Sequence, residues 1–236
     1  MFTDRTDEEF TALLGIKNIP VNEPSVPVST EVDQFRLKDA NWVSRLNPIK
    51  DQGSCGSCWA FAAHGAHEAC YKIVKGATVS LSEQDLVDCS RSYGNQGCNG
   101  GWYFYAWDYI KTKGGVALAS AYGYTGRDDA CKNVARGNGI TSYTKIAGSN
   151  AAFETAINAR PIAVAVDATN WSSYSSGVFS NCATNINHAV VAVGYTSGSH
   201  WLIRNSWGTR WGESGHMRLK QGNTCGVLGY GYTVNC

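Results

Sequence analysis

The chain has 236 residues, 43% of them hydrophobic, enough to bury a substantial core as one large domain or as two half-sized lobes sharing an interface. Its 20 Lys and Arg against 19 Asp and Glu leave a formal charge of +1, and no basic run would track a phosphate backbone, so nucleic acid is not an expected partner. No stretch approaches the roughly 18 consecutive apolar residues of a membrane span, and the first residues lack the basic-then-apolar order of a signal peptide; we expect a soluble chain and leave open that its true start is missing.

From Met1 to about Gly15 the sequence reads as a short acidic helix, with Asp7-Glu8-Glu9-Phe10 followed by Leu13 and Leu14. Pro20, Pro24 and Pro27 then predict an extended linker. Apolar and small residues recur at helical spacing from Cys58 to Lys75, and Gly76 is the expected C-cap of a long, largely buried helix. Ser82-Glu83-Gln84-Asp85 has the pattern of a capping box before Leu86 and Val87, and the aromatic-rich stretch from Trp102 to Lys113 closes on Gly114-Gly115. After about Tyr143 the pattern changes. Apart from one helix near Ala151 to Ala159, stopped at Pro161, the runs Ile162 to Val166, His188 to Tyr195, His200 to Asn205 and His216 to Lys220 carry the β-branched and aromatic residues of strands. A helical half followed by a sheet half predicts an α+β fold of two lobes with a cleft between them.

Nine cysteines are many for a reducing cytosol and fit an oxidising compartment. An odd count leaves one sulfur for an intermolecular bridge or a reactive thiol, and Cys55-Gly56-Ser57-Cys58-Trp59 holds the best-placed candidate. The sequon Asn170-Trp171-Ser172 marks Asn170 as a glycosylation acceptor and agrees with a secretory route. Three separated segments read as parts of one site: Gln52 to Trp59, Asn187-His188-Ala189, and Asn205-Ser206-Trp207-Gly208. With Leu81-Ser82-Glu83-Gln84-Asp85-Leu86-Val87-Asp88-Cys89 and Gly97-Cys98-Asn99-Gly100-Gly101, they make five motifs in the order of the papain-like cysteine peptidases, which the chain resembles over residues 32 to 236, close to the cathepsin L-like members. His188 follows Cys58 by 130 residues and Asn205 by 147, inside that family's window of about 130 to 150.

The resemblance implies a papain-like fold, a helical lobe over about 46–144 and a β-barrel-like lobe over about 145–230 joined by the N-terminal segment, with the active site between them. It also implies roles that the residue chemistry supports. At the first turn of a helix the backbone dipoles favour a thiolate, so Cys58 is the expected nucleophile. His188 would stabilise that thiolate and protonate the leaving amine, and Asn205 would orient its ring behind the shield of Trp207. Gln52 would join the Cys58 N–H at the developing oxyanion. Carried over by motif, Gly100, Gly101 and Asn187 line the cleft, and Trp102, Tyr103, Ala165 and Ile186 surround the pocket for the residue two before the scissile bond, with Tyr230 at its floor. No long His-bearing insertion between Gly101 and Cys131 blocks the cleft, which favours endopeptidase activity.

Residues 1–31 resemble the end of a cathepsin L-like inhibitory prosegment whose larger upstream part is absent, with a mature enzyme beginning near Val32. The implied partners are protein and peptide substrates, the chain's own prosegment and cystatin-type inhibitors, acting on a monomer in a lysosome or vacuole or after secretion. No cofactor or metal is implied. The implied disulfides are Cys55 with Cys98, Cys89 with Cys131, and Cys182 with Cys225; Cys70 and Cys236 remain, and a fourth bridge between them is expected if the C-terminal tail crosses back onto the helical lobe. Other readings compete. Cys55 and Cys58 have the spacing of a redox pair, His64 and His67 could suggest a metal but lack further ligands, and an inactive relative could serve in binding or storage.

Overall fold

The computed structural model of the protein describes residues 5–33 and 39–236. Helix α1 spans Asp7–Leu13. Thr6 opens it: its hydroxyl accepts from the Glu9 N–H while the Glu9 carboxylate accepts from the Thr6 N–H. This helix is shorter than the sequence suggests, and residues 1–4 of the expected helix lie outside the described residues. After strands β1 (Val28–Ser29) and β2 (Asp39–Asn41) comes the long helix α2, Cys58–Val74, which passes through Lys75 into Gly76 at φ +65°. Helices α3 (Glu83–Cys89) and α4 (Tyr103–Lys113) pack beside it. Ser82 caps α3 by accepting from the Asp85 N–H, but only half of the expected capping box forms, because the Asp85 carboxylate is taken by Arg136, Tyr109 and the Ala117 N–H.

The second half supplies β3 (Ser142–Ile146), α5 (Asn150–Ala159), β4 (Ile162–Val166), β5 (Val178–Phe179), β6 (His188–Thr196), β7 (His200–Arg204), β8 (His216–Lys220) and β9 (Tyr232–Asn235). One sheet runs in the order β1-β3-β9-β4-β6-β7-β8-β5, with β2 paired to the far half of β6, and it does not close on itself. Papain-like two-lobed packing appears in the way the sheet divides its side chains. Ala163 and Ala165 of β4 and Ala189, Val191 and Val193 of β6 join the core around α2 and α4, whereas Ile162, Val164, Val166, Val190 and Ala192 turn to a second core with Phe153, Trp201 and Met217. Small residues on the helix-facing side let α2 come close. At Gly65 a Cβ would lie 2.7 Å from Val191 Cγ2, so only glycine fits there without a shift.

Disulfides join Cys55 to Cys98, Cys89 to Cys131, Cys182 to Cys225 and Cys70 to Cys236, the last fixing the chain end to the far half of α2. No helix among the described residues is long and apolar enough to cross a membrane.

Helix α2 also carries His64 and His67, both buried, with ring centroids 6.1 Å apart. His64 Nε2 meets the Ser82 carbonyl at 3.0 Å. Burial pushes His67 down to about 4, the Lys75 ammonium adding to the effect and the Gly139 backbone partly opposing it; burial lowers His64 too, helped by His67 and Lys50. The unfolded chain therefore binds these protons more readily than the folded one, so the stability due to neutral imidazoles is complete above pH ~6.5 and is lost as pH falls toward the folded value. For His67 the loss between pH 6.5 and 4 should reach about 3 kcal/mol. Urea denaturation across this range should show a flatter pH dependence in His67→Leu than in the parent; equal slopes would contradict the assignment.

Candidate active site

Three of the four site residues sit at or beside element ends. Cys58 is the first residue of α2, His188 the first of β6, Asn205 follows β7, and Gln52 lies in the loop before α2. Among nine cysteines Cys58 is the free one, and because Cys55 is bonded to Cys98 the two do not form a redox pair. Ser57 precedes α2 without a side-chain cap, its hydroxyl bonding Tyr124 instead at 2.7 Å. The helix-start amides are thus left to the sulfur, and against the larger effect of burial the backbones of Ala189, Gly15, Trp59 and Cys58 itself all favour its thiolate.

His188 Nε2 lies 2.9 Å from Asn205 Oδ1, an acceptor that also takes the Ser206 N–H at 2.8 Å. That contact assigns the ring proton to Nε2 and leaves Nδ1, which has no hydrogen-bond partner among the described residues, as the basic nitrogen. Trp207 stacks on the imidazole with centroids 4.7 Å apart, and Trp171 meets it edge-on at 6.2 Å. Gln52 is held from both ends of its amide. Its Oε1 accepts from Ser206 Oγ at 2.7 Å and Trp207 Nε1 at 3.1 Å, so Nε2 is fixed as the donor end.

What Nε2 donates to is the Cys55 carbonyl and, at 2.9 Å, the carbonyl of Leu13 from the N-terminal segment. The segment continues through the cleft. The Gly15 carbonyl accepts from the Gly101 N–H, the Ile16 N–H donates to the Asn187 carbonyl, each at 2.9 Å, and Trp102 Nε1 donates to the Asn18 carbonyl at 2.7 Å. Gly15 passes directly over the Cys58 sulfur. A Cβ there would lie 2.2 Å from the Gly56 oxygen and 3.0 Å from Cys58 Sγ. Ile16 is buried in the apolar cluster that contains Trp102, Tyr103 and Ala165, with Ile186 and Tyr230 packed against it.

Burial acts on both groups. Burial raises the Cys58 thiol to about 11 and lowers His188 to about 4, the Asn205 bond only partly offsetting the latter. Burial thus works against a thiolate beside an imidazolium here, opposite in direction to the helix-start effect.

A family model described as papain family cysteine protease matches residues 33–234. The chain belongs to the papain family. It is a cysteine peptidase, 41% identical over 235 residues to cathepsin L 2 of Paramecium tetraurelia, a match covering 96% of this chain and 73% of that one. Its fold resembles digestive procathepsin L 3 from the larval midgut of Tenebrio molitor, with a TM-score of 0.87 and 35% identity over 100% of this chain and 81% of the other. It also resembles the Carica candamarcensis cysteine protease CMS1MS2, solved with E-64, with a TM-score of 0.75 and 35% identity over 84% of this chain and 98% of that one.

Within this papain-family site, Gly100 and Gly101 lie against Gly15; at Gly100 (φ +121°) a Cβ would come 2.5 Å from the Gly15 oxygen. Tyr103 donates its hydroxyl to the Tyr230 carbonyl, and the Trp102 and Tyr230 rings lie 5.1 Å apart. Asn187 fixes its loop by accepting from the Ala168 N–H and donating to Thr169 Oγ1. Asn170 is exposed and donates to the Asn181 carbonyl. The sequence reading passed over Leu13, Gly15 and Ile16, taking them as the end of a helix. The available signal was a glycine flanked by apolar residues immediately before a proline-rich stretch.

Replacing Gly15 with Ala should displace the cover, since the Cβ would meet backbone oxygen rather than a yielding side chain. Overpacking of this kind costs about 1–3 kcal/mol, enough to speed alkylation of Cys58 by iodoacetamide about 5- to 150-fold. Mass spectrometry of the Cys58 peptide measures the rate; no acceleration in Gly15→Ala would mean that the segment does not limit access.

Proposed function

We propose that the protein is an endopeptidase that cleaves after binding an apolar residue two before the scissile bond, and that residues 5–31 hold it inactive as a prosegment. The observation that carries the reading is the Leu13 carbonyl: Gln52 Nε2, beside the free thiol, already grips a peptide oxygen. Ile16 in the apolar cluster supports the pocket preference, the cluster itself being lined by Trp102, Tyr103 and Ala165. Yet Ile16 follows Leu13 in the chain, whereas a substrate's pocket residue precedes its scissile carbonyl. The segment therefore lies against the polarity of a substrate and presents no bond for attack. That the family model begins at residue 33 supports a boundary near Val32, which is exposed.

Once residues 5–31 leave, water reaches the pair, the thiol proton passes to His188 Nδ1, and the helix-start amides hold the thiolate. Cys58 Sγ attacks the carbonyl carbon, and the oxyanion accepts hydrogen bonds from Gln52 Nε2 and the Cys58 N–H. His188 gives its proton to the leaving amine as the C–N bond breaks, and a thioester remains. Water then loses a proton to His188 and attacks the thioester; the acid product departs and the thiolate is restored. Asn205 keeps the ring turned throughout, and the Trp207 stack excludes water from that contact. The relatives named as cathepsin L and as digestive procathepsin support a lysosomal, vacuolar or secreted digestive setting, where cystatin-type inhibitors of a monomeric enzyme would act on the same cleft.

Cys58→Ala and His188→Ala should each abolish hydrolysis of a fluorogenic peptide by the processed enzyme while circular dichroism stays unchanged. Retention of more than a small fraction of activity by either variant would sink the reading. Gln52→Ala should lower kcat about 100- to 1,000-fold with little change in KM, the loss of one oxyanion donor; a rise in KM alone would contradict that role.

A further inference from the structure

Glu23, seven residues beyond Ile16, is not solvated freely. Its Oε2 accepts from Lys145 Nζ and from the Tyr232 hydroxyl, each at 2.5 Å. Lys145 and Tyr232 are a cross-strand pair of the β3–β9 ladder, so their side chains are set by the sheet. The Lys145 ammonium also lies 5.6 Å over the Tyr230 ring, at the edge of the apolar cluster, and Tyr103 and Tyr232 have ring centroids 5.8 Å apart. The nearby Asp108 carboxylate is already engaged by the Tyr143 hydroxyl. Lys145 and Glu23 keep 26% and 29% of their side-chain exposure, so the pair is partly desolvated yet opens to the surface.

Everything that grips this carboxylate belongs to the body of the enzyme, while the carboxylate itself comes from a segment outside the matched region 33–234. If that segment leaves, as the proposed function requires, Lys145 loses the carboxylate it is paired with, and a cation and a phenol remain beside the apolar pocket. We propose that Lys145 and Tyr232 form a carboxylate-binding subsite, filled in cis by Glu23 and afterwards taken by an acidic side chain of a peptide substrate. Because the segment runs against substrate polarity, the stretch from Ile16 towards Glu23 corresponds to substrate residues N-terminal to the pocket residue. The acidic residue therefore lies upstream of the apolar one.

The test uses the processed enzyme, its concentration fixed by titration with an epoxide that alkylates the nucleophile, and paired fluorogenic peptides carrying Glu or Gln in turn at the third to sixth residue before the scissile bond. At one position the kcat/KM ratio of the Glu to the Gln peptide should be about three- to tenfold, the range for a partly exposed charge-assisted contact. The ratio should fall to about one in Lys145→Met, persist in Lys145→Arg, and shrink as ionic strength rises from about 0.1 to about 1 M. Since the ratio is taken within one enzyme, any general change in activity cancels. A ratio near one at all four positions, or a preference that survives Lys145→Met, would overturn the subsite. Failure of the epoxide to titrate, or of every Gln peptide to be cleaved, would instead strike the peptidase reading on which the subsite rests.

Discussion

Helix α2 meets strand β6 at Gly65, whose missing side chain leaves room for Val191 Cγ2, which a Cβ there would approach to 2.7 Å. The approach is set by composition. The faces of β4 and β6 turned to the helix carry Ala163, Ala165 and Ala189, and larger residues there would hold α2 further out. Because Cys58 begins α2 and His188 begins β6, the depth of this one packing contact sets how the sulfur and the imidazole face each other. The polar groups beneath it follow the same frame: Lys50 reaches Glu68 on α2 at 2.8 Å and Glu83 at the start of α3 at 2.6 Å, so the far side of the helix is tied to the loop that carries Gln52.

The N-terminal segment uses that frame without adding to it. It contributes backbone to donors and acceptors already in place at Gln52, Gly101 and Asn187, one aliphatic side chain to an apolar cluster, and one carboxylate to Lys145. It lies against the sulfur at Gly15. Burial at this site shifts the thiol up and the imidazole down, the Gly15 backbone partly opposing the former, so the charge-separated pair is disfavoured from both sides at once.

Much of this was legible in the sequence where signals are local or carried by motif. The buried helix from Cys58 declares itself by seventeen residues of small and apolar spacing and a glycine stop, and the motifs around Cys58, His188 and Asn205 point to one site by resemblance. Other parts were not. Strands β1 and β5 have two residues each, too few for a period to show, and the four-residue alternation of β9 is short enough that its ladder with β3 completes it. The helix-start effect on Cys58 is local and legible, whereas the burial that opposes it at Cys58 and His188 is assembled from distant parts of the chain. Lys145 and Glu23, 122 residues apart, carry no sequence mark that joins them.

Four disulfides and one thiol share this chain. Thiol–disulfide exchange proceeds through the thiolate and needs approach of the attacking pair. With Gly15 against Cys58 Sγ and burial pushing the thiol up to about 11, this sulfur is shielded and disfavoured as a thiolate while the other eight cysteines are bridged. The close fit of one glycine over the sulfur thus also stands between that sulfur and small oxidised thiols, which would otherwise cap it as a mixed disulfide.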